Sequence, residues 1–307
     1  MEIMAAASRM SETDAPPVPV AQPIVPPQTY AAVPMPGSPV AAAPPVWPLP
    51  MAANAPAPVS PPPPASVPRE LLPALCELPI VADTDTAIFR AFEVVSNPNG
   101  QFAIAMKQLA SWASSARQTL GIRTISVGAI GDAPLEAGAT AMALARAIGL
   151  QSIRVIVVDA ARGDQQLDPI AGLSPGPGLA EMLLGNAKFA ELITTDGASA
   201  VHILRAGRAI EVASQYFSTN RMDAILNTLE SSYDAVILNL GNLDARSREL
   251  ARLSQAGVLL AAPNHAAEVA QYAAEWRQAG LRAVQYVRIV PAAALGGSAD
   301  RRAPVSA

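Results

Sequence analysis

The chain has 307 residues, 51% of them apolar, with a formal net charge of −4. That is enough apolar material for one sizeable core, and the acidic balance argues against a protein that coats nucleic acid through phosphate contacts. The single cysteine, Cys76, excludes an internal disulfide, and two histidines, His202 and His265, are too few to build a metal cluster.

In chain order, the first feature is proline. Residues 1–68 hold 20 of the 30 prolines, in runs such as Pro16-Pro17, Pro26-Pro27, Pro44-Pro45 and Pro61 to Pro64. Proline donates no backbone hydrogen bond, and the segment has no apolar period of 2 or 3.6, so a disordered or polyproline-like tail is expected over residues 1–80. Trp47 within it reads as an ordinary tail residue, with a short docking motif as the alternative. The composition places the folded domain at 81–292 and a second flexible tail at 293–307. The start of the chain lacks the basic region and apolar run of a secretory signal, and no stretch reaches the ~20 apolar residues of a membrane span. A cytoplasmic location is expected.

From residue 100 onward, short β-branched runs alternate with helical patterns, the signature of a parallel sheet covered by helices. Strands are predicted at Arg123–Val127, Arg154–Asp159, Ala200–Leu204, Ala235–Leu240, Gly257–Ala262 and Ala283–Val290. Several are continuous apolar runs, as strands buried on both faces require. Helices are predicted at Gln101–Leu120, Gly178–Leu184, Arg221–Ser231, Arg246–Gln255 and Ala266–Ala279. Another is marked by Ala137, Ala141, Leu144, Ala145 and Ile148 at helical spacing, with Asp132 as cap, Pro134 in the first turn and Gly149 as stop. The fold class is therefore α/β, a doubly wound and mostly parallel sheet.

A strand, a glycine-containing turn, a helix and then "IRVIVVDAARGDQQ" (153–166) open a nucleotide-binding fold. The continuation through "GLAEMLLGN" (178–186), "VHILRAGR" (201–208) and the long block at 220–262 resembles, over residues 100–292, the cytoplasmic tyrosine-kinase domain of bacterial polysaccharide co-polymerase systems. That family is related to the MinD and ParA ATPases of the P-loop class. The resemblance implies a phosphate loop with Gly-Lys-Thr/Ser, an Asp-x-Asp motif after the second strand, and an aspartate ending a later strand. Together these would hold Mg-ATP.

The chain departs from all three motifs. Aligned without gaps, the lysine position falls on Pro134 and the hydroxyl position on Leu135; if Gly138-Ala139-Thr140 is taken as the remnant, the lysine falls on Ala139. The only lysines, Lys107 and Lys188, lie elsewhere. The second motif keeps Asp159 but has Ala161 for its partner, and the third has Asn239, a neutral amide that cannot replace a carboxylate at a metal. Asp159 also reads as the cap of a following turn, and Arg162 as a solvated surface arginine.

The expected site is thus a vestigial pocket of Gly131, Asp132, Pro134, Gly138, Thr140, Asp159 and Asn239, with no catalytic residue, no metal and no cofactor beyond residual ATP or ADP binding. The family's ring-forming Glu-x-x-Arg-x-x-Arg pattern reads here as Gln101, Ile104 and Lys107, and the C-terminal tail carries no tyrosine cluster. Tyr216, Tyr233, Tyr272 and Tyr286, with Trp112 and Trp276, read as packing residues, and neither histidine reads as catalytic.

What the resemblance implies is an inactive kinase-like regulatory or scaffold subunit for exopolysaccharide or capsule biosynthesis and export. Its expected partner is a membrane polysaccharide co-polymerase that holds it at the inner face of the plasma membrane; self-association is a further expectation, and nucleic acid is not a partner. The alternatives are an active tyrosine kinase with a rearranged site and a MinD- or ParA-type positioning protein.

Overall fold

The computed structural model describes residues 72–131, 134–163 and 166–291. The proline-rich segment before Leu72, the cap position Asp132 and the C-terminal tail lie outside them. Eight strands form one sheet: β1 (Ala74–Pro79), β2 (Thr124–Ile130), β3 (Val155–Asp159), β4 (Ile193–Thr195), β5 (His202–Leu204), β6 (Ala235–Asn242), β7 (Ala256–Ala261) and β8 (Ala283–Val290). Their spatial order is β1-β8-β7-β2-β6-β3-β5-β4. Every pairing is parallel except β4 with β5.

The helices are α1 (Thr84–Ser96), α2 (Gln101–Leu120), α3 (Pro134–Gly149), α4 (Leu179–Leu184), α5 (Phe189–Leu192), α6 (Ile210–Ala213), α7 (Asn220–Ser232), α8 (Ala245–Ala251) and α9 (Ala266–Gln278). No helix among the described residues is long and apolar enough to cross a membrane.

Alternation along the central strands builds two cores. Val155 and Val157 of β3, Ile237 of β6 and Val258 of β7 face α1, α2 and α3, packing with Phe102, Met106 and Leu144. Their neighbours Ile156, Val158, Leu238 and Leu259 face the other way, against Leu179, Phe217, Met222 and Trp276. Side chains at period two point to opposite faces, so a strand apolar at every position must be covered twice. Gly257 shows how tight the second layer is: a Cβ there would lie 2.2 Å from the Trp276 ring. The missing side chain admits the indole directly onto the sheet.

Helices α5 and α6, of four residues each, were not predicted, and four further features differ from the sequence reading. Strand β1 lies inside the segment assigned to the tail. It is a six-residue edge strand beside Pro73 and ending in Pro79, a place where the lost donor is tolerated. Cys76 within it is buried, and burial pushes its thiol up to about 11. Helix α1 was not foreseen because its first turn is polar; its start is set by Asp83, whose side chain accepts from the Thr86 N–H at 2.7 Å.

The third difference is β4, too short to carry a pattern. The fourth is the end of α8, which stops at Ala251 rather than Gln255. Gln255 leaves the helix to close the sheet, its Oε1 accepting from the main-chain N–H groups of Arg123 at 2.6 Å and Thr124 at 3.2 Å.

Candidate functional site

In a parallel sheet of this kind ligands gather at the carboxyl ends of the strands, where the topology switches direction. Asp159 ends β3 there, paired across the ladder with Asn239 of β6. Both are 0% exposed. Asp159 Oδ1 accepts from Asn239 Nδ2 at 2.9 Å and from the Ala161 N–H at 3.2 Å; Oδ2 accepts from the Leu167 N–H at 2.6 Å. Asn239 Oδ1 in turn accepts from the Gly241 N–H at 3.2 Å.

Burial pushes the Asp159 carboxyl up to about 7, against the three hydrogen bonds that favour its ionised form; nearby Asp168 raises it further. A carboxylate offers about four acceptor positions, so protein donors have taken most of them. The role is the turn-anchoring one: Asp159 ties both ends of the segment 161–167 to the sheet.

That segment leads into apolar side chains on α3. Leu167 and Ile170 are buried, and a Cβ on Gly138 would lie 2.9 Å from Ile170 Cδ1, 3.3 Å from Leu167 Cδ2 and 3.7 Å from Asn239 Nδ2. Gly138, Asp159 and Asn239 therefore converge. Thr140 is buried further along α3.

Helix α3 begins at Pro134, the residue that the ungapped alignment puts in the lysine position. Gly131 follows β2 with φ +85, and a Cβ there would meet His265 Nε2 at 2.6 Å. The left-handed backbone and the imidazole both demand glycine. Arg162 is turned outward, paired with Asp244 and, at 3.8 Å, with Glu211.

Sequence reasoning missed the groups around this centre. Glu136, buried in the first turn of α3, accepts from the Val81 N–H at 3.1 Å. Burial raises its carboxyl, opposed by that bond. Arg205, after β5, lies 3.9 Å from buried Asp168 and donates to the Ser174 carbonyl at 2.8 Å. The "SPGPG" run at 174–178 is the one signal that could have flagged it. A Cβ on Gly176 would lie 2.3 Å from Arg205 Nη1 and one on Gly178 2.2 Å from the Arg205 carbonyl oxygen, so the glycines let the loop lie against the arginine.

His202 donates to or accepts from the Tyr233 hydroxyl at 2.6 Å, and His265 sits 3.0 Å from Glu268. Neither meets a nucleophile through these contacts. Tyr286 and Trp276 are buried, and Tyr216, Tyr233, Tyr272 and Trp112 are half-buried against the core.

Comparison with known proteins finds the same mostly parallel, helix-flanked fold among solved structures. No family model and no curated protein matches the chain. Among solved structures it is similar to a chimerical protein CapA2B2, at 17% identity and TM-score 0.60, covering 72% of this chain and 95% of that one. The kinase domain of the Escherichia coli tyrosine kinase ETK is similar at 22% identity and TM-score 0.57, covering 70% and 83%. The BceF tyrosine kinase domain follows at 18% identity and TM-score 0.56, covering 71% and 94%. The architecture is thus that of bacterial tyrosine-kinase domains.

Among the described residues, Pro134 opens α3, and Asp159 is enclosed by the chain's own donors with an amide, Asn239, as its cross-strand neighbour.

Proposed function

We propose that this chain is a kinase-fold subunit that regulates or scaffolds bacterial exopolysaccharide or capsule export without transferring phosphate, by binding a membrane polysaccharide co-polymerase. The observation that carries the reading is the enclosure of Asp159. All three of its hydrogen bonds come from Ala161, Leu167 and Asn239, so the one acidic group retained from the motifs holds a loop instead of a metal. Phosphoryl transfer rests on positioned cations and metal-holding carboxylates, worth several orders of magnitude in rate. Pro134, Ala161 and Asn239 stand in three of those places.

Calorimetric titration of the full chain with Mg-ATP and Mg-ADP tests the nucleotide side, and the expected result is no saturable heat. Incubation with radiolabelled ATP is expected to leave the protein unlabelled. Magnesium-dependent binding or self-labelling that disappears in Asp159→Asn would overturn the reading in favour of an active kinase. The pathway side is tested by deletion: loss of surface polysaccharide and co-purification with the co-polymerase are expected, and normal polysaccharide in a clean deletion would refute it.

A further inference from the structure

The opposite rim of the sheet, where helices return to strands, carries a different chemistry. Five helix-to-strand turns lie there: residues 121–123, 150–154, 233–234, 252–255 and 279–282. Their charged residues are Arg123, Arg154, Arg252 and Arg282 against Asp234, while beside the turns Glu249 pairs with Arg252 at 2.9 Å, Glu230 accepts from Thr124 and Gln255, and Asp196 is matched by Arg146. The whole chain is acidic, so this is a local reversal of sign.

Three of the arginines are held by local contacts. Arg282 donates to the Leu120 carbonyl and its N–H to the Gln255 carbonyl; Gln255 accepts from the Arg123 N–H; Arg123 Nη1 donates to the Glu230 carbonyl; and Arg154 pairs with Asp234 at 3.1 Å. In these contacts the guanidinium groups of Arg123 and Arg282 meet main-chain carbonyls, which neutralise no charge. Two leucines stand out of the same rim: Leu120 at the end of α2 is 43% exposed and Leu150 after α3 is 59% exposed. A cation after a helix is explained by the helix dipole; an exposed leucine beside it is not.

We infer that this arginine-and-leucine rim is a docking surface for an anionic phospholipid membrane. Guanidinium forks match phosphodiester oxygens, and exposed leucines among them enter the boundary between headgroups and acyl chains. The leucines favour lipid over nucleic acid, whose interfaces are wet and polar. The inference does not depend on the co-polymerase or on nucleotide.

The test is co-sedimentation of the full chain with phosphatidylcholine vesicles, with and without phosphatidylglycerol. Binding is expected only to the anionic vesicles and is expected to fall steeply with added salt. Arg123→Gln together with Arg282→Gln should weaken it by about tenfold or more, given the contribution of each basic residue near such a surface. Leu150→Ser, which disturbs no buried contact, should weaken it by several-fold. Arg208→Gln on the opposite rim should not change it. Equal affinity for both vesicle types, no binding to either, or binding to duplex DNA in preference to anionic vesicles would each overturn the inference.

Discussion

The two rims of the sheet, one where strands lead into helices and one where helices return to strands, hold their charges differently. At the carboxyl ends of the strands, Asp159 is buried and held by the chain's own donors, Arg162 pairs with Asp244, and Arg205 lies 3.9 Å from buried Asp168. At the amino ends, Arg123, Arg154, Arg252 and Arg282 are all exposed, Arg154 paired with Asp234 and Arg252 with Glu249. The difference teaches that charges buried at one rim of a sheet can anchor loops while those at the other stay at the surface.

The largest expected effect breaks the one amino-rim site that resembles the carboxyl rim. Arg146 forks onto Asp196 at 2.9 and 2.7 Å, with both side chains buried, and Ser199 adds a third bond at 2.5 Å. Burial alone would raise the Asp196 carboxyl, but the bonds from Arg146 and Ser199 and the arginine's charge hold it below the usual range. Asp196→Ala strands a buried guanidinium and should cost about 3–5 kcal/mol in urea unfolding.

Asp159→Ala comes next. It leaves the Ala161 and Leu167 N–H groups and the Asn239 amide without their acceptor, and should cost about 2–4 kcal/mol by the same measurement. A loss below about 0.5 kcal/mol, the range of ordinary surface substitutions, would mean that the carboxylate anchors nothing.

A third prediction sharpens the contrast through pH. The Asp159 carboxyl is pushed up to about 7 from an ordinary 3.8, so the folded chain holds this proton more tightly than the unfolded one. Its contribution to stability is full below about pH 4 and is lost as pH rises through about 7, with a slope of at most about 1.4 kcal/mol per pH unit. Asp159→Asn should flatten that segment of the stability-against-pH curve. The smallest effect is on the open rim: Arg154→Gln, removing an ion pair whose arginine is 67% exposed, should change stability by less than about 1 kcal/mol.

The parts of the fold legible in the sequence are those whose environment is uniform along the element. Strands β3, β6, β7 and β8 are covered on both faces or nearly so, and read as apolar runs; α2 is long enough to show its period and begins and ends at the predicted residues. Strands β1 and β4 and helix α1 were not, since prolines, three-residue length or a polar first turn hide a pattern that tertiary contacts alone supply. At the site, Asp159 was visible as a retained motif residue and Asn239 as a departure from one. Their bond to each other, and the filling of the space beside Gly138 by Leu167 and Ile170, depend on residues that meet only after folding.

Because β1 runs parallel to β8, with Ala74 opposite Tyr286 and Pro79 opposite Val290, the described chain has a polarity like that of a rod threaded once from pole to pole. Within the described residues, Leu72 therefore lies on the arginine-bearing side of the sheet and Pro291 on the side of Asp159.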